Sequence, residues 1–281
     1  MTWKIVSDSG CDFQKIKDIA VATNFERVPL TIQVGNEIFT DDAELDIDEM
    51  MEKMYATSTA SKSACPSPDD YLKSFAGADN LFVVTITGTL SGSNNSAQLA
   101  KKLYQEEHPN VNIHVIDSLS AGGEIDLIVH KLNHLIGQGL SFEEVVQAIT
   151  DYQKKTKLLF VLSKVDNLVK NGRLSKLLGT VVGLLNIRMV GEASSQGTLE
   201  LLQKARGHKK SLTAAFEELL KAGYAGGEII IAHRNNTKFC QQFSELVKEK
   251  YPKASITIIP TSGLCSFYAE EGGLLMGYEI E

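Results

Sequence analysis

The chain has 281 residues and carries a formal net charge of −7. That length is enough to bury a sizeable core and favours two domains over one, while the acidic balance argues against nucleic acid as the default partner. No apolar run approaches the ~20 residues needed to span a membrane, and the four cysteines (Cys11, Cys65, Cys240, Cys265) are too scattered for a zinc site or a disulfide framework; a reduced, cytoplasmic protein is the expectation.

Trp3 to Val6 reads as a strand ending in Ser7-Asp8-Ser9-Gly10. Arg27 to Val34 reads as one apolar stretch, followed by a turn at Gly35-Asn36 and strand-like Ile38-Phe39. Helical spacing over Leu45, Met50, Met51, Met54 and Tyr55 follows the acidic run Asp41 to Asp48, and Pro66-Ser67-Pro68-Asp69 opens a helix with Tyr71, Leu72 and Phe75. A strand over 81–86 runs into a hydroxyl-rich stretch, then a helix from about Ser93 to Glu106. Ile113 to Ile116 is a further strand, closed by Asp117-Ser118-Leu119-Ser120, with helices over Ala121–Ile136 and Phe142–Lys154. Short apolar strands alternating with helices predict a largely parallel sheet with helices on both faces.

Beyond Lys157 the pattern changes. A strand over Leu158–Leu162 and one or two short helices over Val165–Leu178 precede two strands, Asn186–Ala193 and Thr198–Ala205, which flank Ser194-Ser195-Gln196-Gly197 as a hairpin. A helix (Leu212–Ala222), a strand (Glu228–His233), a helix (Phe239–Tyr251) and a strand (Ser255–Ile259) follow. The expected organisation is an α/β protein of two domains, 1–158 and 159–281, the second built on a mixed or antiparallel sheet.

Ligands of α/β sheets bind at the carboxyl ends of strands, and three such ends here are small and polar: Ser7–Gly10, Thr85–Ser93 and Asp117–Ser120. Each alone is explained by capping and turn formation; together they suggest one polar cleft. Gly88-Thr89-Leu90-Ser91-Gly92 puts its serine one position too late for a nucleophile elbow, and the run lacks the second glycine and the lysine of a phosphate-gripping loop. What remains is a set of donors beside a helix N-terminus, suited to an anion. His130 and His134 have metal-compatible spacing, but Lys131 stands where a catalytic zinc motif needs Glu. Lys204 to Lys210 is the one dense basic run, either a solvated junction or a docking patch for an acidic or phosphate-bearing partner.

The segments IVSDSGCD, SACPSPDDY, TITGTLSGSNNSA, VIDSLSAGG, LVKNGRLSK and KARGHKK, in this order along nearly the whole chain, resemble the DegV family of bacterial fatty-acid-binding proteins, acyl-carrying subunits of fatty acid kinase. The resemblance implies a long-chain fatty acid such as palmitate as ligand, no metal or other cofactor, no catalytic residue, and a separate kinase subunit as partner to a monomeric carrier. It places the carboxylate on Ser63, where threonine is usual, and on Ser91; Thr87, Asn95, Ser118 and Tyr268 are the expected supporting contacts beside them. Cys65 stands where glutamine is common, and Tyr268 takes the place of a histidine near the head group. Arg173, Arg206, Lys209 and Lys210 are the expected docking residues. The competing readings are an acyl hydrolase using Ser91 and a carrier of a smaller amphipathic carboxylate.

Overall fold

The computed structural model describes residues 1–174 and 186–281. The first sheet is four-stranded and parallel, in the order β2-β1-β6-β7: β1 (Trp3–Asp8), β2 (Thr23–Val28), β6 (Asn80–Thr85) and β7 (Asn112–Asp117). β6 is buried along its whole length, as a central strand covered on both faces must be. On one face lie α2 (Pro68–Phe75) and α3 (Ser93–Glu107), whose Tyr71, Phe75, Ala97 and Ala100 pack against Val6, Leu81 and Val83. On the other, α4 (Gly123–Gly137) and α5 (Phe142–Gln153) cover Ile5, Phe82 and Val84. Capping boxes at Ser67 and Ser141 start α2 and α5.

The apolar stretch over 27–34 is divided between two strands in two sheets. Pro29, which has no N–H for a ladder, separates β2 from β3 (Thr31–Val34), which pairs antiparallel with β4 (Glu37–Thr40) and β5 (Lys62–Ala64). This small sheet, backed by α1 (Ile47–Ala56), encloses a core of Ile32, Met50, Met51 and Phe267.

The third sheet has the order β10-β9-β8-β13-β11-β12 and is mixed, with only β11 and β12 parallel. Its strands are β8 (Thr156–Leu162), β9 (Ile187–Ala193), β10 (Leu199–Arg206), β11 (Glu228–His233), β12 (Ser255–Pro260) and β13 (Leu274–Glu279). α6 (Asp166–Lys170) follows β8; the rest of the helical segment expected over Val165–Leu178 lies partly outside the described residues. α7 (His208–Lys221) and α8 (Thr237–Lys250) cover one face, and the short α9 (Gly263–Ala269) lies between β12 and β13. The expected division between 158 and 159 falls within β8, where Lys157 already pairs with Tyr278; strand continuity places the change of sheet at the turn between α5 and β8.

α4 joins the two large sheets. Its first turn lies so close to β11 and β13 that a Cβ on Gly123 would sit 2.5 Å from the Ile230 carbonyl oxygen and 2.6 Å from the Gly277 nitrogen. Two glycine backbones in contact leave no room for a side chain. The next residue, Glu124, is buried and accepts a hydrogen bond from the Thr156 hydroxyl at 2.8 Å. Burial raises its pKa to about 7, with hydroxyl hydrogen bonds opposing the shift. Because the folded-state value lies above the ordinary value, the native chain holds the extra proton, and stability falls as pH rises from about 4.5 to about 7. Glu124→Gln removes this dependence. The variant should match the parent at pH 4.5 and exceed it at pH 8 by roughly 3 kcal/mol at most; urea-denaturation midpoints at the two pH values check both the sign and the window.

Candidate functional site

The three polar strand ends meet. The backbone amides of their loops are fixed by carboxylates, one buried and one half-buried: Asp8 accepts from the N–H of Ile86 at 3.0 Å and of Gly10 at 3.0 Å, and Asp117 accepts from Gly88 and Leu119, both at 3.0 Å. Asp8 also takes the Ser93 hydroxyl at 2.5 Å, and Tyr71 Oη lies 2.7 Å from Ser93 Oγ. Desolvation lifts Asp8 to about 6, with the Ser93 hydrogen bond opposing it. Ser93 is thus a structural hydroxyl inside the first turn of α3, while Ser91, two residues earlier, faces a cavity.

That cavity has a volume of about 300 Å³, at the lower end of the ~300–1,000 Å³ typical of ligand pockets. β8 sends Leu158, Phe160 and Leu162 into it, the alternate residues of one strand face. α9 contributes Leu264, Cys265, Tyr268 and Ala269, and β13 contributes Leu275. α9 is pinned at its start: Asp41 accepts from the N–H of Gly263 and of Leu264, each at 2.8 Å, and Asp12 accepts from the Ser262 N–H at 2.7 Å.

Ser63 and Ser91 both line the cavity, although 28 positions apart in sequence, as do Thr87, Tyr268 and Arg173. Ser63 Oγ and Tyr268 Oη are 2.8 Å apart and hydrogen-bonded; burial raises the Tyr268 pKa, so the phenol stays neutral and can donate. Ser91 Oγ accepts from the Ser93 N–H at 3.3 Å, which leaves its own proton for a further acceptor. Arg173, expected as a docking residue, is the one charged side chain among the described residues of the wall, with Nε donating to the Leu90 carbonyl at 3.2 Å. Ala64, Cys65 and Gly92 belong to the wall and are exposed, so the cavity opens beside Ser63 and Ser91.

Two expected supports stand elsewhere. Asn95 is exposed on α3, and the Ser118 hydroxyl is committed to the Ser120 carbonyl at 3.1 Å. Arg206, Lys209 and Lys210 are exposed at the β10–α7 junction. His130 pairs with Glu228 at 3.0 Å rather than with His134. Sequence reasoning did not find the cavity's Leu264, Cys265 and Leu275, since α9 and β13 were not expected; the apolar run Leu274–Met276 after Gly272-Gly273 was the available signal.

The DegV family model, described as an uncharacterised protein family, matches residues 2–279. The chain belongs to the DegV family. It is 83% identical over 280 residues to a DegV domain-containing protein of Streptococcus gordonii, covering all of both chains. Among solved structures it resembles the fatty acid kinase B3 protein of Streptococcus pneumoniae loaded with linoleic acid (74% identity, TM-score 0.99) and a DegV family protein of Eubacterium eligens loaded with heptadecanoic acid (39%, 0.96); each match covers 100% of both chains. Among the described residues no group of three or more His, Cys, Asp or Glu could hold a metal ion, and no helix is long and apolar enough to cross a membrane.

Of the four thiols, Cys65 is exposed at the cavity mouth and the other three are buried. A maleimide should therefore label one cysteine per native chain, abolished by Cys65→Ser, and four after denaturation; intact mass counts them.

Proposed function

We propose that the protein binds a long-chain fatty acid in this cavity and presents its carboxyl group, at the mouth, to a separate kinase subunit for acyl phosphate formation. The observation that carries the reading is the arrangement of the wall: aliphatic and aromatic side chains through its interior, and the hydroxyls of Ser63, Tyr268 and Ser91 gathered at the end that opens to solvent. The fatty acids carried by the Streptococcus pneumoniae and Eubacterium eligens proteins support it.

The energetics favour a division of labour. Burying a sixteen-carbon chain at about 0.8 kcal/mol per CH₂ provides on the order of 10 kcal/mol, which offsets association and ordering costs of several kcal/mol. The head group must then only avoid a buried, unsatisfied carboxylate. Ser63 and Ser91 supply neutral donors, and Arg173, held by the Leu90 carbonyl, adds positive charge nearby. Donors of this kind bind the carboxylate without activating it, and leave an oxygen reachable through the mouth. Arg206, Lys209 and Lys210 provide an exposed basic face for the nucleotide-bearing partner. The hydrolase alternative gains no support, because no histidine is among the described residues of the wall to serve Ser91 as a base.

Native mass spectrometry of the purified protein, with lipid extraction, should find one long-chain fatty acid per chain. Ser63→Ala and Ser91→Ala should each weaken binding by roughly ten- to a hundredfold, the value of one hydrogen bond to a charged group. Failure to retain or bind any fatty acid would sink the reading; turnover of an activated acyl ester, abolished by Ser91→Ala, would replace it with the hydrolase.

A further inference from the structure

The cavity mouth exposes the head-group end, yet a chain entering there would have to pass tail-first between the polar side chains of Ser63 and Ser91. A second boundary of the cavity lies at a hairpin. The β9–β10 hairpin contributes Ala193, Gly197 and Leu199 to the wall, and its tip rests against the hydroxyl-rich loop after β6. There Thr87 Oγ1 donates to the Gly197 carbonyl at 3.0 Å, and Thr89 Oγ1 donates to the Gln196 carbonyl at 2.6 Å. Thr87 and Gly197 are buried and face the cavity, whereas Thr89 and Gln196 are exposed. One layer of residues thus separates the cavity from solvent along this seam.

We propose that this seam is the gate through which the acyl chain enters and leaves, with Thr87 and Thr89 as its latch. The proposal rests on the fatty-acid reading above. Four features let the tip move as a unit. It is closed on itself: the Ser194 N–H donates to the Thr198 carbonyl at 2.8 Å, the Gly197 N–H to the Ser194 carbonyl at 2.9 Å, and the Ser194 and Thr198 hydroxyls lie 2.7 Å apart. It is unsupported by the neighbouring strand, because the β8–β9 ladder ends at the Leu159–Glu192 pair and Ala193 to Leu199 project beyond it. The β9–β10 register shifts between Leu201 and Gln203, a local irregularity of the kind at which a strand bends. Among the described residues β10 is also the edge strand of its sheet.

The contact is built for closeness. Gly197 has φ +73°, and a Cβ there would lie 2.1 Å from Thr87 Oγ1. The threonine hydroxyls are therefore held against bare backbone, with no side chain between. Leu119, exposed and in the left-handed region at φ 53°, borders the same seam, its Cα 3.3 Å from that Cβ position. Parting two hydrogen bonds and a small apolar contact opens the wall from the side, so the chain need not be threaded past the grip.

The test is stopped-flow uptake and release of a fluorescent long-chain fatty acid by the full chain. Threonine-to-valine replacement keeps the shape and removes the donor. One neutral hydrogen bond is worth roughly threefold to tenfold in a rate, so T87V/T89V should accelerate association about tenfold or more, while the unchanged-affinity arm is T89V, outside the wall, which should speed association and release alike. T89V alone, at an exposed position, should give about threefold, and covers the case in which the buried Thr87 change disturbs folding. Parent-like rates in both variants would overturn the gate. So would faster release with an equal loss of affinity, which would make Thr87 a head-group contact instead. If the parent chain takes up no fatty acid, the binding reading falls and the gate with it; if it binds normally and the variants do not differ, only the gate falls.

Discussion

Backbone amides in the loops at the carboxyl ends of the strands need acceptors, most of them away from solvent, and aspartates supply these throughout the molecule. Asp8 holds Gly10 and Ile86, Asp12 holds Ser262, Asp41 holds Gly263 and Leu264, Asp117 holds Gly88 and Leu119, and Asp126 holds Asp12 and Phe13. Each of these carboxylates ties a loop that the chain would otherwise leave to water. An unpaired buried amide costs on the order of 1–3 kcal/mol, so the loops around the cavity take one arrangement. The price is carboxylates in low dielectric: desolvation raises Asp8 and Asp12 to about 6 and pushes Asp126 well above its ordinary value, with the nearby Asp12 charge adding to the shift.

The cavity follows from that anchoring. Asp41 and Asp12 belong to the part of the chain that builds the parallel and small antiparallel sheets, yet they hold the start of α9, whose Tyr268 then reaches Ser63 on β5. Asp8 and Asp117 set the hydroxyl loop from the other side, presenting Ser91 to the cavity and keeping Ser93 in the frame. Hydroxyls assembled from different segments are preorganised by their supports, and a rigid arrangement loses little on binding.

Much was legible beforehand. β11 matches its expected span Glu228–His233, and the β9–β10 hairpin falls around Ser194-Ser195-Gln196-Gly197 as its turn residues require. The helices α3, α4 and α5 lie where their apolar periodicity places them. Legibility fails for short or interrupted elements. β5 has three residues and α9 seven, too few for a period to register, and Pro29 splits an apolar run that composition alone joins into one strand. The site divides in the same way: Ser63 and Ser91 could be singled out by motif, but the pairing of Ser63 with Tyr268, 205 positions away, could not. Asn95 and Ser118 have suitable chemistry, but Asn95 is exposed and the Ser118 hydroxyl is taken by a backbone carbonyl.

The sequence by itself determined the class of fold, the places where loops had to be polar, and the absence of a nucleophile elbow or a phosphate loop, because these follow from local periodicity and short-range spacing. Tertiary structure alone decided which hydroxyls face a common cavity, that Arg173 lines it, and that a hairpin tip closes it against Thr87 and Thr89. Those outcomes depend on how three sheets are set against one another, and contacts across 83 to 205 positions leave no periodic trace in the chain that makes them.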